Sequence, residues 1–303
     1  MKLLIIGSEG FIGGHCVDYF LSESHQVWGV DLYEQPTKRY AYSKITRLSP
    51  EFDEMFQNTS FDAVINAGGS GNLPYSMLHP VSDFEANCLD TIRTLDSIRK
   101  HQPECKYIHI SSAAVYGNPE KLPIDENDRR QPLSAYGWHK LVSENLCNEY
   151  TSVYHLNTSI IRPFSVYGEG LKKQLFWDLF QKIQNHDGPI TLHGTGKESR
   201  DFIYINDLVR AIDCVINKGR MKGEVYNLAS GNETTIEEAV TIFFNQWGKK
   251  SAYTFNGVVR EGDPLNWRAD IRQVRSLGFI PEMNLETGLA SLATWMKTLA
   301  LPL

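Results

Sequence analysis

A glycine-rich turn near the start of the chain limits what the sequence can fold into. The segment GSEGFIGG joins the apolar run Leu3–Ile6 to the helical pattern Phe11–Ser22. Gly7 allows a tight turn, Gly10 allows a ligand to approach the backbone, and Gly13 allows close packing of helix on strand. The first N–H groups of such a helix are unpaired and attract phosphate. The segment therefore predicts a dinucleotide site after the first strand.

Short apolar runs alternate with helical patterns along the first two thirds of the chain. The runs predict strands that are covered on both faces, at Leu3–Ile6, Gln26–Val30, Ala63–Asn66, Tyr107–Ile110 and Ser159–Ile161. The patterns between them predict helices at Phe11–Ser22, Val81–Lys100 and Ser134–Tyr150. This alternation is typical of an α/β fold with a doubly wound parallel (Rossmann) sheet, in which ligands bind beyond the carboxyl ends of the strands.

The alternation changes after Gly168. A predicted helix at Leu175–Gln184 is followed by one further strand in VYNLASG, and then by a helix, a short strand and a final amphipathic helix. We therefore expect a smaller, discontinuous α/β lobe beside the Rossmann domain. The predicted Rossmann domain comprises residues 1–168 and 200–231, and the predicted lobe comprises residues 169–199 and 232–303. Asp207 is expected to cap a helix that begins at Leu208.

Composition excludes several classes of function. The net charge of -6 argues against nucleic acid as the main partner. Five widely spaced cysteines without a CxxC pair indicate a reduced, cytoplasmic chain with no zinc site. The apolar start is only about five residues long, too short for a signal peptide, and no later run is long enough to span a membrane.

The residue at the end of the second predicted strand indicates which dinucleotide is bound. Asp31 ends the segment VWGVD, where a carboxylate accepts hydrogen bonds from ribose hydroxyls and repels a 2′-phosphate. This position favours NAD over NADP. The alternative is NADP, because Lys38 and Arg39 follow Asp31 closely and carry positive charges that can bind a 2′-phosphate.

Three polar residues follow the fourth predicted strand. Ser112 lies at its carboxyl end in SSAAVYG, and the next helix carries YGWHK, in which Tyr136 and Lys140 share one face. The Tyr–Lys spacing alone carries little weight, because Tyr40 and Lys44 repeat it without any framing motif. The position of Ser112 beside the predicted dinucleotide site makes the second pair a candidate for catalysis.

The motifs together resemble those of the extended short-chain dehydrogenase/reductases, in the NAD-dependent nucleotide-sugar epimerase/dehydratase family. The similarity extends along nearly the whole chain, through the blocks GSEGFIGG, DAVINAGG, SSAAVYG, YGWHK, RPFSVYG, HGTGKESRDFIYINDL, YNLASG and VVREGDPLNWRAD. The resemblance implies that Tyr136 is the general acid/base, that Lys140 lowers the Tyr136 pKa and holds the nicotinamide ribose, and that Ser112 orients the reacting oxygen. It implies an NAD site formed by Gly7, Gly10, Phe11, Ile12, Gly13, Asp31, Ala67, Gly68, Asn87, Ser111, Tyr136, Lys140 and Pro163.

The resemblance also implies a nucleotide-sugar site. Its expected residues are Ser112, Tyr136, Ser165, Arg200, Arg260 and Trp267. Arg200 and Arg260 match positions that clamp the substrate diphosphate, although Arg200 also suits a salt bridge between domains. Ser165 replaces the family's usual Asn. The bulk of Trp267 is expected to favour hexoses with a free 2-hydroxyl.

Three functions remain open at this stage. Dehydratases of the family carry an acidic pair after the catalytic Ser, whereas this chain has Ala113 and Ala114, so we expect no dehydration. A nucleotide-sugar 4-epimerase is favoured, an NAD(P)H-dependent 4-keto-6-deoxysugar reductase is the alternative, and a non-catalytic dinucleotide-binding regulator is a third reading. We further expect a homodimer that forms through Val81–Lys100 and Ser134–Tyr150, with no membrane partner.

Overall fold

The computed structural model describes residues 1–34, 39–46, 52–185, 188–248, 252–258, 262 and 264–300. The strands in this part of the chain are β1 (Lys2–Ile6), β2 (Gln26–Asp31), β3 (Ala41–Lys44), β4 (Ala63–Asn66), β5 (Lys106–Ile110), β6 (Thr158–Pro163), β7 (Ser165–Tyr167), β8 (Ile190–Leu192), β9 (Ser199–Tyr204), β10 (Lys222–Leu228), β11 (Glu233–Thr235) and β12 (Tyr253–Phe255). The helices are α1 (Phe11–Ser22), α2 (Phe52–Asn58), α3 (Leu73–Leu78), α4 (Pro80–Phe84), α5 (Asp90–His101), α6 (Ala135–Tyr154), α7 (Gln174–Asn185), α8 (Ile205–Lys218), α9 (Ile236–Trp247), α10 (Arg272–Ser276) and α11 (Leu285–Ala300).

A central parallel sheet organises the chain. Its strands lie in the order β10-β6-β5-β4-β1-β2-β3, and every pair in it is parallel. The chain winds outward in one direction from β1 to β3 and in the other direction from β4 onward. The point at which the winding reverses lies between β1 and β4, where ligands bind in sheets of this kind. The predicted doubly wound fold is confirmed.

The sheet separates two apolar cores, because successive side chains of a strand point to opposite faces. Leu3 and Ile5 of β1 enter the larger core, while Leu4 and Ile6 enter the smaller one. Burying each such side chain contributes about 1.5–3 kcal/mol before the entropic cost of ordering it. Burial on both faces explains why the strand is continuously apolar.

Two smaller sheets form the second part of the structure. One has the order β11-β9-β7 and the other pairs β12 with β8. The boundary predicted at residue 200 falls inside β9, which pairs with β7 and β11 rather than with the central sheet. Strand β10, predicted from VYNLASG, does belong to the central sheet. Among the described residues, no helix has both the length and the apolar character needed to cross a membrane.

The helix predicted at Val81–Lys100 is interrupted by a wider turn. Helix α4 passes through a π-helical turn at Glu85–Leu89 before it continues as α5. A π turn adds a residue to the helix and frequently marks a functional site. Asn87, one of the predicted site residues, lies within it.

The prediction for Asp207 is wrong. Helix α8 already begins at Ile205, so Asp207 lies inside its first turn rather than before a helix at Leu208. Its carboxylate accepts hydrogen bonds from the backbone N–H groups of Glu282 (3.0 Å) and Met283 (2.9 Å). Asp207 therefore ties the segment before α11 to the central domain.

Candidate active site

The glycine-rich loop fits tightly against the end of β4. A Cβ atom on Gly7 would lie 2.8 Å from the Gly68 nitrogen, and Gly7 adopts a φ of 80°. A Cβ atom on Gly13 would lie only 2.0 Å from the Gly7 carbonyl oxygen. Gly10 immediately precedes α1, where Phe11 and Ile12 supply the first helical N–H groups. The loop is therefore a cradle that fits the pyrophosphate of a dinucleotide.

Asp31 lies at the end of β2 and faces this loop. Its carboxylate accepts hydrogen bonds from the backbone N–H groups of Glu9 (2.9 Å) and Leu32 (2.6 Å). Arg39 turns away to the surface and forms an ion pair with Asp18 at 2.8 Å. Lys38 lies outside the described residues. This arrangement fits an unphosphorylated adenosine ribose.

Ser112, Tyr136 and Lys140 converge beyond the carboxyl end of β5. Ser112 begins a short 3₁₀ turn at Ala113–Val115, and its hydroxyl accepts a hydrogen bond from the Ala114 N–H at 3.1 Å. Tyr136 lies in the first turn of α6, and the Ser112 side chain lies close enough to the phenol to influence its pKa. Lys140 follows one turn later and donates to the carbonyl oxygen of Ile110 at 2.8 Å.

Burial shifts the pKa values of both titratable members of this group. Desolvation raises the pKa of Tyr136, and the nearby Ser112 side chain partly opposes that rise. Desolvation lowers the pKa of Lys140 to about 8, while the negative charge of Asp83 acts in the opposite direction. In the chain by itself the Tyr136 pKa is therefore raised, and its lowering by Lys140 stays a prediction.

The next cofactor residues line the same edge of the sheet. Ala67 donates to the carbonyl oxygen of Ile6 at 3.0 Å, which places Ala67 and Gly68 beside the glycine-rich loop. Asn87 donates through its amide to the carbonyl oxygen of Asp83 at 3.0 Å. The Asn87 Oδ1 atom is buried and has no partner among the described residues. An unsatisfied buried acceptor is costly, so Asn87 fits a site that is completed by a bound donor.

The side chain of Ser111 has a partner within the protein. Its hydroxyl donates to Glu144 at 2.6 Å. Glu144 is fully buried and receives two bonds, of 2.8 and 2.7 Å, from the equally buried Arg162. A contact between Ser111 and a cofactor would therefore come from its backbone. This ion pair was not predicted, although an arginine inside the apolar segment SIIRPF is a signal for it.

The remaining predicted residues belong to the expected NAD site (Pro163) and to the expected sugar site. Pro163 ends β6 and is buried, and Ser165 begins β7 and is half-buried. The guanidinium of Arg200 lies 5.6 Å from the centre of the Trp267 ring and donates to the carbonyl oxygen of Leu265 at 3.2 Å. Trp267 is buried and donates through its indole N–H to the carbonyl oxygen of Gly117 at 3.0 Å. Arg260 lies outside the described residues.

Comparison with known proteins gives consistent results. The model of the NAD dependent epimerase/dehydratase family matches residues 3–229. A putative UDP-glucose 4-epimerase of Methanocaldococcus jannaschii is 30% identical over 97% of this chain and 98% of that protein. The uncharacterized UDP-glucose epimerase YtcB of Bacillus subtilis is 28% identical over 99% of both chains.

A solved structure shows a similar fold. The UDP-glucuronic acid 4-epimerase of Bacillus cereus, in complex with UDP-glucuronic acid and NAD, superimposes with a TM-score of 0.90. It is 27% identical, and the match covers 99% of this chain and 100% of that chain. The family match extends from β1 to the end of β10 and includes the glycine-rich loop, Ser112, Tyr136 and Lys140. The chain belongs to the NAD dependent epimerase/dehydratase family.

Proposed function

We propose that this chain is an NAD-dependent UDP-sugar 4-epimerase. The observation that carries the proposal is the meeting of Ser112, Tyr136 and Lys140 at the edge of the sheet that bears the glycine-rich loop. The similar proteins described above, a putative UDP-glucose 4-epimerase and a UDP-glucuronic acid 4-epimerase, support the same reaction. NAD, when bound, supplies the group that accepts hydride from sugar C4 and returns it.

Each member of the group has a separate task in this mechanism. Tyr136 takes the proton of the C4 hydroxyl as C4 is oxidised, and returns it to the C4 oxygen when C4 is reduced on the opposite face of the sugar. Ser112 donates a hydrogen bond that fixes the reacting oxygen. Lys140 holds a positive charge near the phenol and orients the nicotinamide ribose. Ala113 and Ala114 offer no acid or base, so the site does not support dehydration.

The proposed cofactor site comprises the residues that line the cleft between the glycine-rich loop and the catalytic residues. Asp31 receives the adenosine ribose and gives NAD preference over NADP. The other residues of the proposed NAD site are Gly7, Gly10, Phe11, Ile12, Gly13, Ala67, Gly68, Asn87, the Ser111 backbone, Tyr136, Lys140 and Pro163.

The proposed sugar site lies between the smaller lobe and the catalytic residues. Arg200 and Arg260 bind the diphosphate through their planar guanidinium groups. The Trp267 indole is fixed by Gly117 and limits the space at sugar C2, which favours a free 2-hydroxyl. Ser165 completes the site beside Ser112 and Tyr136. We retain the division into a Rossmann domain and a nucleotide-sugar-binding lobe.

We further propose a cytoplasmic homodimer. All five cysteines are free thiols, as expected in a reducing compartment. Apolar side chains on and around α4 and α6 are exposed to solvent, namely Leu78, Val81, Phe84 and Trp138. Such a patch is typical of a protein interface.

Proton NMR of the purified protein tests the reaction directly. UDP-glucose and UDP-glucuronic acid are supplied separately, with no cofactor added. We expect one of them to convert to its C4 epimer, while a Tyr136→Phe variant leaves it unchanged. If neither sugar changes but a 4-keto-6-deoxy nucleotide sugar oxidises added NADH or NADPH, the protein is a reductase. If the protein binds NAD and transforms no sugar, the regulator reading replaces both.

A further inference from the structure

A buried carboxylate lies beside the catalytic residues without touching the proposed substrate site. Asp83 is completely buried on α4, and its Oδ2 atom lies 2.6 Å from Nδ1 of His139. His139 is a residue of α6 between Tyr136 and Lys140, and its side chain is 15% exposed. The pair therefore joins α4 to the part of α6 that carries the acid/base.

The second oxygen of this carboxylate is unsatisfied. Asp83 Oδ1 is buried and has no hydrogen-bond partner among the described residues. A buried carboxylate with an incomplete set of bonds costs free energy, so its charge requires compensation from another source. Lys140 is a buried cation close by whose ammonium donates to a carbonyl oxygen, that of Ile110. Electrostatic attraction between Asp83 and Lys140 raises the pKa of the ammonium.

We propose that Asp83, fixed by His139, is a positioning residue that keeps Lys140 protonated one helical turn after Tyr136. The proposal rests on the function proposed above, which assigns Tyr136 the proton transfer. The same negative charge raises the Tyr136 pKa. Because Asp83 raises both pKa values, it moves to higher pH the range in which Lys140 is protonated and Tyr136 can exchange its proton.

Other ionisable groups lie on the elements that pack against α4. They include Tyr75 and His79 on and after α3, Glu85 and Cys88 in the π turn, and Tyr136, His139, Lys140, Glu144 and Cys147 on α6. Cys88, Cys147 and Glu144 act on the Lys140 pKa in the same direction as Asp83, and Asp83 has the largest effect of the four. An Asp83→Asn substitution changes the charge at one point in this set and keeps the shape of the side chain.

The test is the pH dependence of kcat and of the Tyr136 signal. Removal of the negative charge favours the neutral amine of Lys140 and the phenolate of Tyr136, so both limbs of the kcat profile move to lower pH in Asp83→Asn. We expect roughly a tenfold loss of kcat at pH 9, with KM unchanged, because Asp83 is outside the substrate site. The second measurement uses substrate-free, NAD-loaded protein whose tyrosines carry 13C at Cζ. The Tyr136 resonance is assigned by its loss in Tyr136→Phe. We expect it to titrate at lower pH in Asp83→Asn than in the wild type.

A matched control removes the same charge from a surface position. Asp96 on α5 forms ion pairs with Arg99 and Lys100, and we expect Asp96→Asn to leave both titrations unchanged. If the Asp83→Asn profiles coincide with those of this control, the proposal is wrong. The tyrosine titration needs no sugar, so it decides the proposal even if no UDP-sugar is epimerised.

A second pair of variants keeps Asp83 and serves if Asp83→Asn does not fold. His139→Gln retains a donor for the carboxylate, so the profiles should not move to lower pH. His139→Leu removes the donor, and burial then protonates Asp83. We expect His139→Leu to move both titrations to lower pH. Equal profiles for the two variants would overturn the proposal.

Discussion

The side chains at the end of β5 and the start of α6 bring a hydroxyl, a phenol and an ammonium into one small volume. Ser112 is held by the Ala114 N–H, and Lys140 is held by the Ile110 carbonyl. Tyr136 is anchored through its backbone, which donates to the Ser76 hydroxyl at 3.0 Å. Because both neighbours and the backbone are fixed, the phenol needs little reorganisation before it transfers a proton.

The phenol is the group whose loss should stop the reaction. Tyr136→Phe removes only an oxygen atom, and general acid/base catalysis contributes about 10²–10⁴-fold, so we expect a kcat loss of that order. NAD content, measured by absorbance after denaturation, should stay unchanged. Tyr154→Phe, an exposed change at the other end of α6, serves as the control. A Tyr136→Phe enzyme within tenfold of wild type would exclude this residue as the acid/base.

The buried carboxyl group of Glu126 makes the free energy of unfolding depend on pH. Glu126 is buried, accepts a hydrogen bond from the Asn227 N–H at 2.9 Å, and has its pKa raised by desolvation from 4.5 to about 7. Between those two values the folded protein retains a proton that the unfolded chain releases, so stability falls as the pH rises through this window. Glu126→Gln keeps the acceptor and removes the charge.

We expect Glu126→Gln to raise the free energy of unfolding at pH 8 by about 1–3 kcal/mol and to give no gain at pH 4.5. Urea denaturation at the two pH values measures the difference. Glu149→Gln, at an exposed position of α6, should change neither value. A gain of equal size at both pH values would show that charge is not the cause.

The residues that the sequence predicted differ in kind from those it missed. Gly13 and Tyr136 stand in motifs whose spacing encodes their position in the fold. Asp83 and Glu144 act through partners that are distant in sequence, His139 and Arg162. Contacts of that kind depend on how α4, α6 and β6 pack, and a single sequence does not contain that information.

At the level of elements, the packing of α1 against the loop that follows β1 leaves different amounts of space at two neighbouring glycines. A Cβ atom on Gly13 would lie 2.0 Å from the Gly7 carbonyl oxygen, whereas one on Gly14 would lie 3.5 Å from the Ser8 carbonyl oxygen. The first distance is a clash with backbone and the second is an ordinary contact.

This difference makes the two glycines a matched pair. Gly13→Ala should displace the loop, with loss of bound NAD and a lower melting temperature. Gly14→Ala should instead stabilise the protein by roughly 0.5–1 kcal/mol, because alanine favours a helix interior. Thermal unfolding and the NAD content of the purified variants measure both effects. Similar behaviour of the two variants would contradict the close packing at Gly13.

Strand β3 was not predicted from the sequence, because its apolar pattern is weak. Strand β3 carries the residues AYSK at the edge of the sheet, and none of them is buried. An edge strand with exposed polar side chains lacks the apolar run that indicates a strand. The π turn before α5 was missed for another reason, because one additional residue hardly disturbs a helical period over twenty residues.

For the whole molecule, the exposed apolar patch around α4 predicts assembly. Val81 is 72% exposed and lies on this patch, whereas Ile280 is 65% exposed in a different part of the chain. We expect Val81→Asp to convert a dimer to a monomer, because a carboxylate in an apolar interface is costly. Ile280→Asp should leave the mass unchanged in light scattering. A wild-type protein that is monomeric at micromolar concentration would refute the dimer.

A single residue, Phe164, separates β6 of the central sheet from β7 of the smaller one. Its N–H group donates to the Leu228 carbonyl oxygen at 3.0 Å, so the hydrogen-bonded ladder continues through the link. Two sheets that are joined in this way lack the free rotation of hinged domains. We therefore expect the smaller lobe to swing little against the central sheet, so that a cofactor bound beyond that sheet exchanges slowly with solvent. Slow exchange suits an isomerase, because its cofactor returns to the starting oxidation state in every turnover. It would limit the turnover of a reductase, which must release the oxidised cofactor after each reaction.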